Sequence, residues 1–246
     1  PAAENGYSPE GYCGLEKTLE MAKRVKEAGL KLLLNFHYSD NWADPGKQYT
    51  PASWLQHAGS GLEGQVYRYS NQVIRRFIEE GVRPDMVQTG NEINHGMLWP
   101  QGKIDDSYMP FGVLLRCASA GVRAADPTIP IMVHIACGGQ NEESVYFFDK
   151  ILSRDVKFDV IGQSYYPQWH GTLEELRFNL NDLASRYNKP VILVEYQEHR
   201  MEVNRIVRDI PDNMGLGTFI WEATSPRWGN LFDATGATNE NMKIYF

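Results

Sequence analysis

Asp85-Met86-Val87-Gln88-Thr89-Gly90-Asn91-Glu92-Ile93-Asn94 is the stretch that decides how this chain folds. Residues 85–89 have the composition of a short strand, and Gly90-Asn91 is a turn signal that ends it. About a hundred residues on, Val191-Ile192-Leu193-Val194-Glu195 repeats the arrangement, an aliphatic run and then a glutamate. Unbroken aliphatic runs of this length are strands buried on both faces, the condition of a parallel sheet. Each run leaves one carboxyl where strand gives way to loop.

Helical spacing fills the intervals. Leu15, Leu19, Ala22, Val25 and Ala28 recur at helical period and stop at Gly29. Residues 30–36 follow as a strand, then residues 64–80 as a helix with Val66, Val73, Ile74, Phe77 and Ile78 on one side. Beyond the strand at 85–89 the pattern predicts a helix over 111–125, a strand over 129–135, a helix over 143–152 and a strand over 158–165. A helix over 173–187, the strand at 191–195, a helix over 201–210 and a strand over 217–221 complete it. Alternation of this kind predicts an α/β fold with a parallel sheet and helices outside it. The count is six strands, whereas a closed (β/α)8 barrel has eight in about 250 residues. No linker or low-complexity stretch divides the chain, so residues 1–246 read as a single domain. In barrels of this type the site is built from loops at the C-terminal ends of the strands. Here those loops are long and rich in aromatic and polar residues, above all 38–61 and 94–106.

Composition removes several functions. The formal net charge is −7 with no basic cluster, which argues against nucleic acid or an anionic membrane surface as partner. Cys13, Cys117 and Cys137 are odd in number and widely spaced, unlike a disulfide framework or a zinc site. No stretch is long and apolar enough to span a membrane as a helix, and no signal peptide is visible. Trp and Tyr are plentiful; most belong to the core, and those near strand ends suit stacking on sugar rings.

An isolated glutamate at a strand end is ordinarily an exposed carboxylate or a partner for a helix cap. Two of them at the ends of separate parallel strands are what hydrolysis of a glycosidic bond requires: one protonates the leaving oxygen, the other attacks the sugar or activates water. Asn91 beside Glu92 can donate to a substrate hydroxyl. Strict strand alternation puts Glu195, Leu193 and Val191 on one face, and Glu92, Gly90 and Gln88 on another. His37 ends the run Leu32-Leu33-Leu34-Asn35-Phe36 and has no partners at ligand spacing, so no metal or cofactor is expected. Tyr166 shares parity with Gly162 and Ser164 and can offer its hydroxyl to Glu195. Trp221 closes the last strand, where it can form a stacking floor; Glu222 points the other way.

The residues from His37 through Tyr38-Ser39-Asp40-Asn41-Trp42-Ala43-Asp44-Pro45-Gly46-Lys47 to Gln48 resemble a signature of glycoside hydrolase family 53, the endo-β-1,4-galactanases. Gly11-Tyr12-Cys13-Gly14, Gly90-Asn91-Glu92-Ile93-Asn94, Leu98-Trp99-Pro100, Ser164-Tyr165-Tyr166-Pro167 and Trp169-His170-Gly171-Thr172-Leu173 match it too. The long loop motif is highly specific; Asn-Glu at a strand end is shared across the wider clan of retaining glycosidases. The resemblance implies a (β/α)8 barrel that cleaves β-1,4-galactan, the neutral side chain of pectin, with retention. By motif, Glu92 is the expected acid/base and Glu195 the nucleophile. Asn91 is expected to hold the sugar 2-hydroxyl and Tyr166 to contact the nucleophile, with His37, Asp40, Trp42, Trp169, His170 and Trp221 shaping the subsites. It also implies secretion or export to a periplasm.

The chain departs from that pattern in places. Family members have two strands before the Gly-Tyr-Cys-Gly segment, the second leading to an arginine that reaches the nucleophile. Relative to them this chain reads as N-terminally truncated, which predicts open sheet edges, completion by an oligomer or separate fragment, and reduced activity. Tyr196-Gln197 replaces the more usual Thr or Asn after the nucleophile, and the following segment leaves little room for the calcium that bacterial relatives often carry. Two other functions remain open on the residues: another clan A β-1,4-glycanase acting on mannan, xylan or glucan, and a galactan-binding protein without turnover. A doubly wound nucleotide-binding sheet also accommodates six parallel strands, but no Gly-rich phosphate loop is present.

Overall fold

A computed structural model describes residues 13–57, 60–225 and 231–245. Gly11 and Tyr12 of the motif above, and residues 58 and 59 of the long first loop, lie outside them. In chain order the elements are α1 (Leu15–Glu27), β1 (Leu33–Phe36), α2 (Ser60–Glu79), β2 (Met86–Thr89), α3 (Met109–Ala125), β3 (Ile131–Ile135) and α4 (Asn141–Ser153). There follow β4 (Val160–Tyr165), a short α5 (Pro167–His170), α6 (Leu173–Tyr187), β5 (Val191–Tyr196), α7 (Arg200–Arg208) and β6 (Gly215–Thr218). Six parallel strands thus alternate with helices, the pattern of a (β/α)8-type barrel, with six strands among the described residues. No helix among those residues is long and apolar enough to cross a membrane.

The chain divides into two compact units: Pro1–Val133 with Phe148–Asp159, and His134–Phe147 with Val160–Phe246. In the first, β1 pairs with β2 from Leu33 opposite Met86 to Phe36 opposite Thr89. Val87 opposite Ile131 and Gln88 opposite Met132 then register β2 against β3. Against this sheet α2 and α3 pack through Leu62, Val66, Ile74, Phe77, Phe111, Leu114, Leu115, Ala118 and Val122, all buried. Each larger side chain of that set contributes about 1.5–3 kcal/mol by leaving water. Gly121 lets the two helices touch, since a Cβ there would sit 2.4 Å from the Tyr67 carbonyl oxygen. Leu62 also explains why α2 begins four residues before the expected position 64: it extends the apolar stripe one turn back from Val66. At the bottom of the sheet Asp159 accepts from the Ile131 N–H and pairs with Arg123.

In the second unit β4 and β5 are buried on both faces, β5 as its aliphatic run predicts. Ile161 lies opposite Val191 and Gln163 opposite Leu193, but the next pair is Ser164 with Glu195. Val194 is the extra residue, a bulge of the kind that re-aims side chains beside functional sites. The strict alternation expected from Leu193 to Glu195 is therefore interrupted, and Glu195 comes level with Ser164. Thr172 caps α6 reciprocally: its hydroxyl accepts from the Glu175 N–H and the Glu175 carboxylate accepts from the Thr172 N–H. The last strand is shifted from the expected 217–221 to Gly215–Thr218. Glycine is needed there because a Cβ on residue 215 would lie 1.7 Å from the Val207 carbonyl oxygen of α7. The chain still runs beside β5 after the strand ends, with Phe219 N–H donating to Leu193 and Trp221 N–H to Tyr196.

Candidate active site

In the first unit, the loops after β1 and β2 converge around Asn91 and Glu92. Gly90 turns the chain with φ +94°, and Glu92 follows in the left-handed region (φ 47°, ψ 53°) at the head of a 3-10 turn, Ile93–His95. A non-glycine residue there is disfavoured by about 1–2 kcal/mol. It is held by the β1 loop. Gln48 Nε2 donates to the Asn91 carbonyl at 2.7 Å, to the Glu92 carbonyl at 3.2 Å and to the Asp44 carbonyl at 3.1 Å. Asn91 Nδ2 donates to the Ala43 carbonyl at 2.9 Å, and its Oδ1 accepts from Asn35 at 2.9 Å and Gln88 at 3.2 Å. Asn91 and Glu92 are both buried.

His37 stands just beyond β1. Its Nδ1 accepts the Ala43 N–H at 3.0 Å and its Nε2 lies 3.1 Å from Asn35 Nδ2. Burial lowers its pKa to about 4, against the opposing pull of the Asp44 carboxylate, so the ring is neutral near pH 7. Asp40 accepts the Ala52 N–H at 2.8 Å and so tethers the 3-10 turn Ala52–His57 within its own loop. Trp42 is 47% exposed, as a stacking surface requires.

In the second unit the loops after β4 and β5 carry the other set. Glu195 is buried near the end of β5, and the Tyr166 hydroxyl donates to its Oε2 across a long 3.3 Å. Tyr166 meets Trp169 edge-on, ring centroids 5.8 Å apart, and Trp169 is 67% exposed. His170 takes a supporting place rather than an open one: it is buried, and its Nδ1 accepts the Tyr166 N–H at 3.1 Å. Burial lowers its pKa. Trp221 is half-buried in a turn after β6, not at a strand end. Tyr196 turns towards α7, where its hydroxyl accepts from Asn204 at 2.8 Å.

Two residues of evident importance carry no expectation from sequence. His134 is fully buried on β3, with a ring nitrogen 2.7 Å from Ser164 Oγ and within 4.8 Å of a Glu195 carboxylate oxygen. Its signal is a polar residue in the apolar run Ile131-Met132-Val133-His134-Ile135, since a buried polar group demands a partner. Gln48 is the other; it lies within the quoted loop motif, but only the path of the loop shows what it holds.

The sequence profile of glycosyl hydrolase family 53 matches residues 1–202. The chain belongs to glycosyl hydrolase family 53. Among family 53 relatives and similar proteins, an uncharacterized protein from the bgaB 5′ region of Niallia circulans is 40% identical over 258 residues, spanning 89% of this chain and 70% of that protein. The arabinogalactan endo-β-1,4-galactanase of Humicola insolens is 38% identical over 254 residues, spanning 89% of this chain and 74% of that one. Across the galactanase relatives the match spans from 54% to 75% of their length. In structure, the Ignisphaera aggregans family 53 catalytic domain superposes with a TM-score of 0.86 at 29% identity, over 94% of this chain and 77% of that one. The fold expected from the family resemblance is the fold found.

Proposed function

We propose that this chain is the catalytic part of an endo-acting β-1,4-galactanase that cleaves the neutral galactan side chains of pectin with retention, and that all 246 residues serve that one activity as a secreted enzyme. Family membership and the names of the galactanase relatives support the substrate class. The observation that carries the chemistry is that the two glutamates expected from sequence are both buried at the C-terminal ends of parallel strands, with the Tyr166 hydroxyl donating to Glu195.

Glu195, ionised, attacks the anomeric carbon while Glu92, protonated, gives its proton to the glycosidic oxygen, and the bond from that carbon to that oxygen breaks. The aglycone half leaves as an alcohol and the other half remains as an ester on Glu195. Glu92, now a carboxylate, takes a proton from water, which attacks the same carbon and releases Glu195. The Tyr166 hydroxyl favours the ionised nucleophile by donating to it. Asn91 presents an amide N–H to the 2-hydroxyl, and Trp42, Trp169 and Trp221 offer ring faces to flanking sugars. His37 and Asp40 shape the first loop that bears Trp42, and His170 steadies Tyr166.

Reducing-sugar release from galactan, mannan, xylan and glucan tests the substrate, with galactan expected to be cut. Product from another glycan and none from galactan refutes it. A fluoro-sugar galactoside that traps the ester is expected to label Glu195; a label on any other residue removes the nucleophile assignment.

A further inference from the structure

We propose that Gln48 is a positioning residue for Glu92, acting through the backbone rather than by touching the sugar. Its buried amide nitrogen reaches the carbonyls of Asn91 and Glu92, the two peptide groups that flank the left-handed residue. The same nitrogen is anchored to the Asp44 carbonyl in its own loop, so the loop motif grips the acid/base residue from behind. A left-handed glutamate has an alternative in the right-handed region that every L-residue prefers. Rotating the Glu92 peptide into it swings the carbonyl away from Gln48 and re-aims the carboxyl. Gln48 therefore selects the conformation in which the acid stands at the strand end. The same loop holds Asn91 at two points, with Gln48 at its carbonyl and the Ala43 carbonyl at its side chain, besides the bonds from Asn35 and Gln88.

This inference rests on the reading of Glu92 as the acid/base, and the test separates the two. Protonation of the leaving oxygen matters for galactan and hardly at all for an aryl β-galactobioside with a dinitrophenol leaving group. Gln48→Met keeps the bulk and removes the donors; Gln48→Asn keeps the donors and withdraws them by one methylene. Counts of competent sites by fluoro-sugar titration normalise both. For each variant kcat/KM on galactan is expected to fall about 10- to 100-fold, with KM little changed. On the dinitrophenyl substrate kcat/KM is expected to fall less than about threefold. The control Glu92→Gln should show the same selectivity more strongly; if it shows none, the role given to Glu92 fails whatever Gln48 does. Selective loss in Glu92→Gln with equal loss on both substrates, or no loss, in the Gln48 variants overturns the inference. So does the disappearance of titratable sites in both Gln48 variants, which would make the residue a support for the fold alone.

Discussion

His37 shows how burial turns a titratable residue into a fixed acceptor. Folded, the ring stays neutral down to about 4 because desolvation penalises its cation, and its Nδ1 takes the Ala43 N–H. Unfolded, it has its ordinary value of 6.5. Between those two values the unfolded chain binds the extra proton, so stability is lost as pH falls through that window and levels off below it. The ring is only partly shielded in area terms, which reduces the effect to about 1–2 kcal/mol. The unfolding free energies from urea titrations at pH 4.5 and 7 should differ by that much more in the wild type than in His37→Gln. Gly90 is a second residue fixed by geometry. With φ +94° and a would-be Cβ 2.7 Å from Ile93 Cγ2, Gly90→Ala is expected to lose about 1–3 kcal/mol in a denaturant titration and to misplace the adjoining Asn91 and Glu92. Glu92 and Glu195 stand out in the sequence as acids that follow strand-like runs, and both are buried in the fold. Gln48 and His134 do not, because what they hold is set by loop path and strand neighbour, neither of which is local.

At the scale of elements, α6 begins where the sequence says it should because its signal is entirely local: Thr172 and Glu175 three apart, then an apolar stripe. Thr172→Ala removes the hydroxyl that accepts the Glu175 N–H, and about 1 kcal/mol of stability should go with it, read from the urea midpoint. Strand β6 was misplaced for the opposite reason. Its glycines look like a loop until the Val207 carbonyl is seen against Gly215. The Val194 bulge is likewise invisible in an unbroken aliphatic run, since it exists only as a pairing offset against β4. Yet that offset sets Glu195 beside Ser164, and a deletion of Val194 is expected to abolish galactan hydrolysis even where the variant folds.

For the molecule as a whole, the alternation of strands and helices was readable from period and punctuation, and it sufficed to give the fold type. Charge adds a prediction at this scale. A chain of net charge −7 acting on a neutral polymer has little long-range attraction to lose. Turnover of galactan is expected to change less than about twofold between low and high salt, whereas polygalacturonate, an anionic polymer, should show no binding at low salt. The left-handed backbone at Glu92 reaches furthest. Glycine adopts that conformation freely, so Glu92→Gly should melt at or above the wild type in calorimetry while losing hydrolysis. Directed evolution for heat resistance alone would drift at this position towards durable but silent proteins, and only a screen that also demands turnover would keep the glutamate.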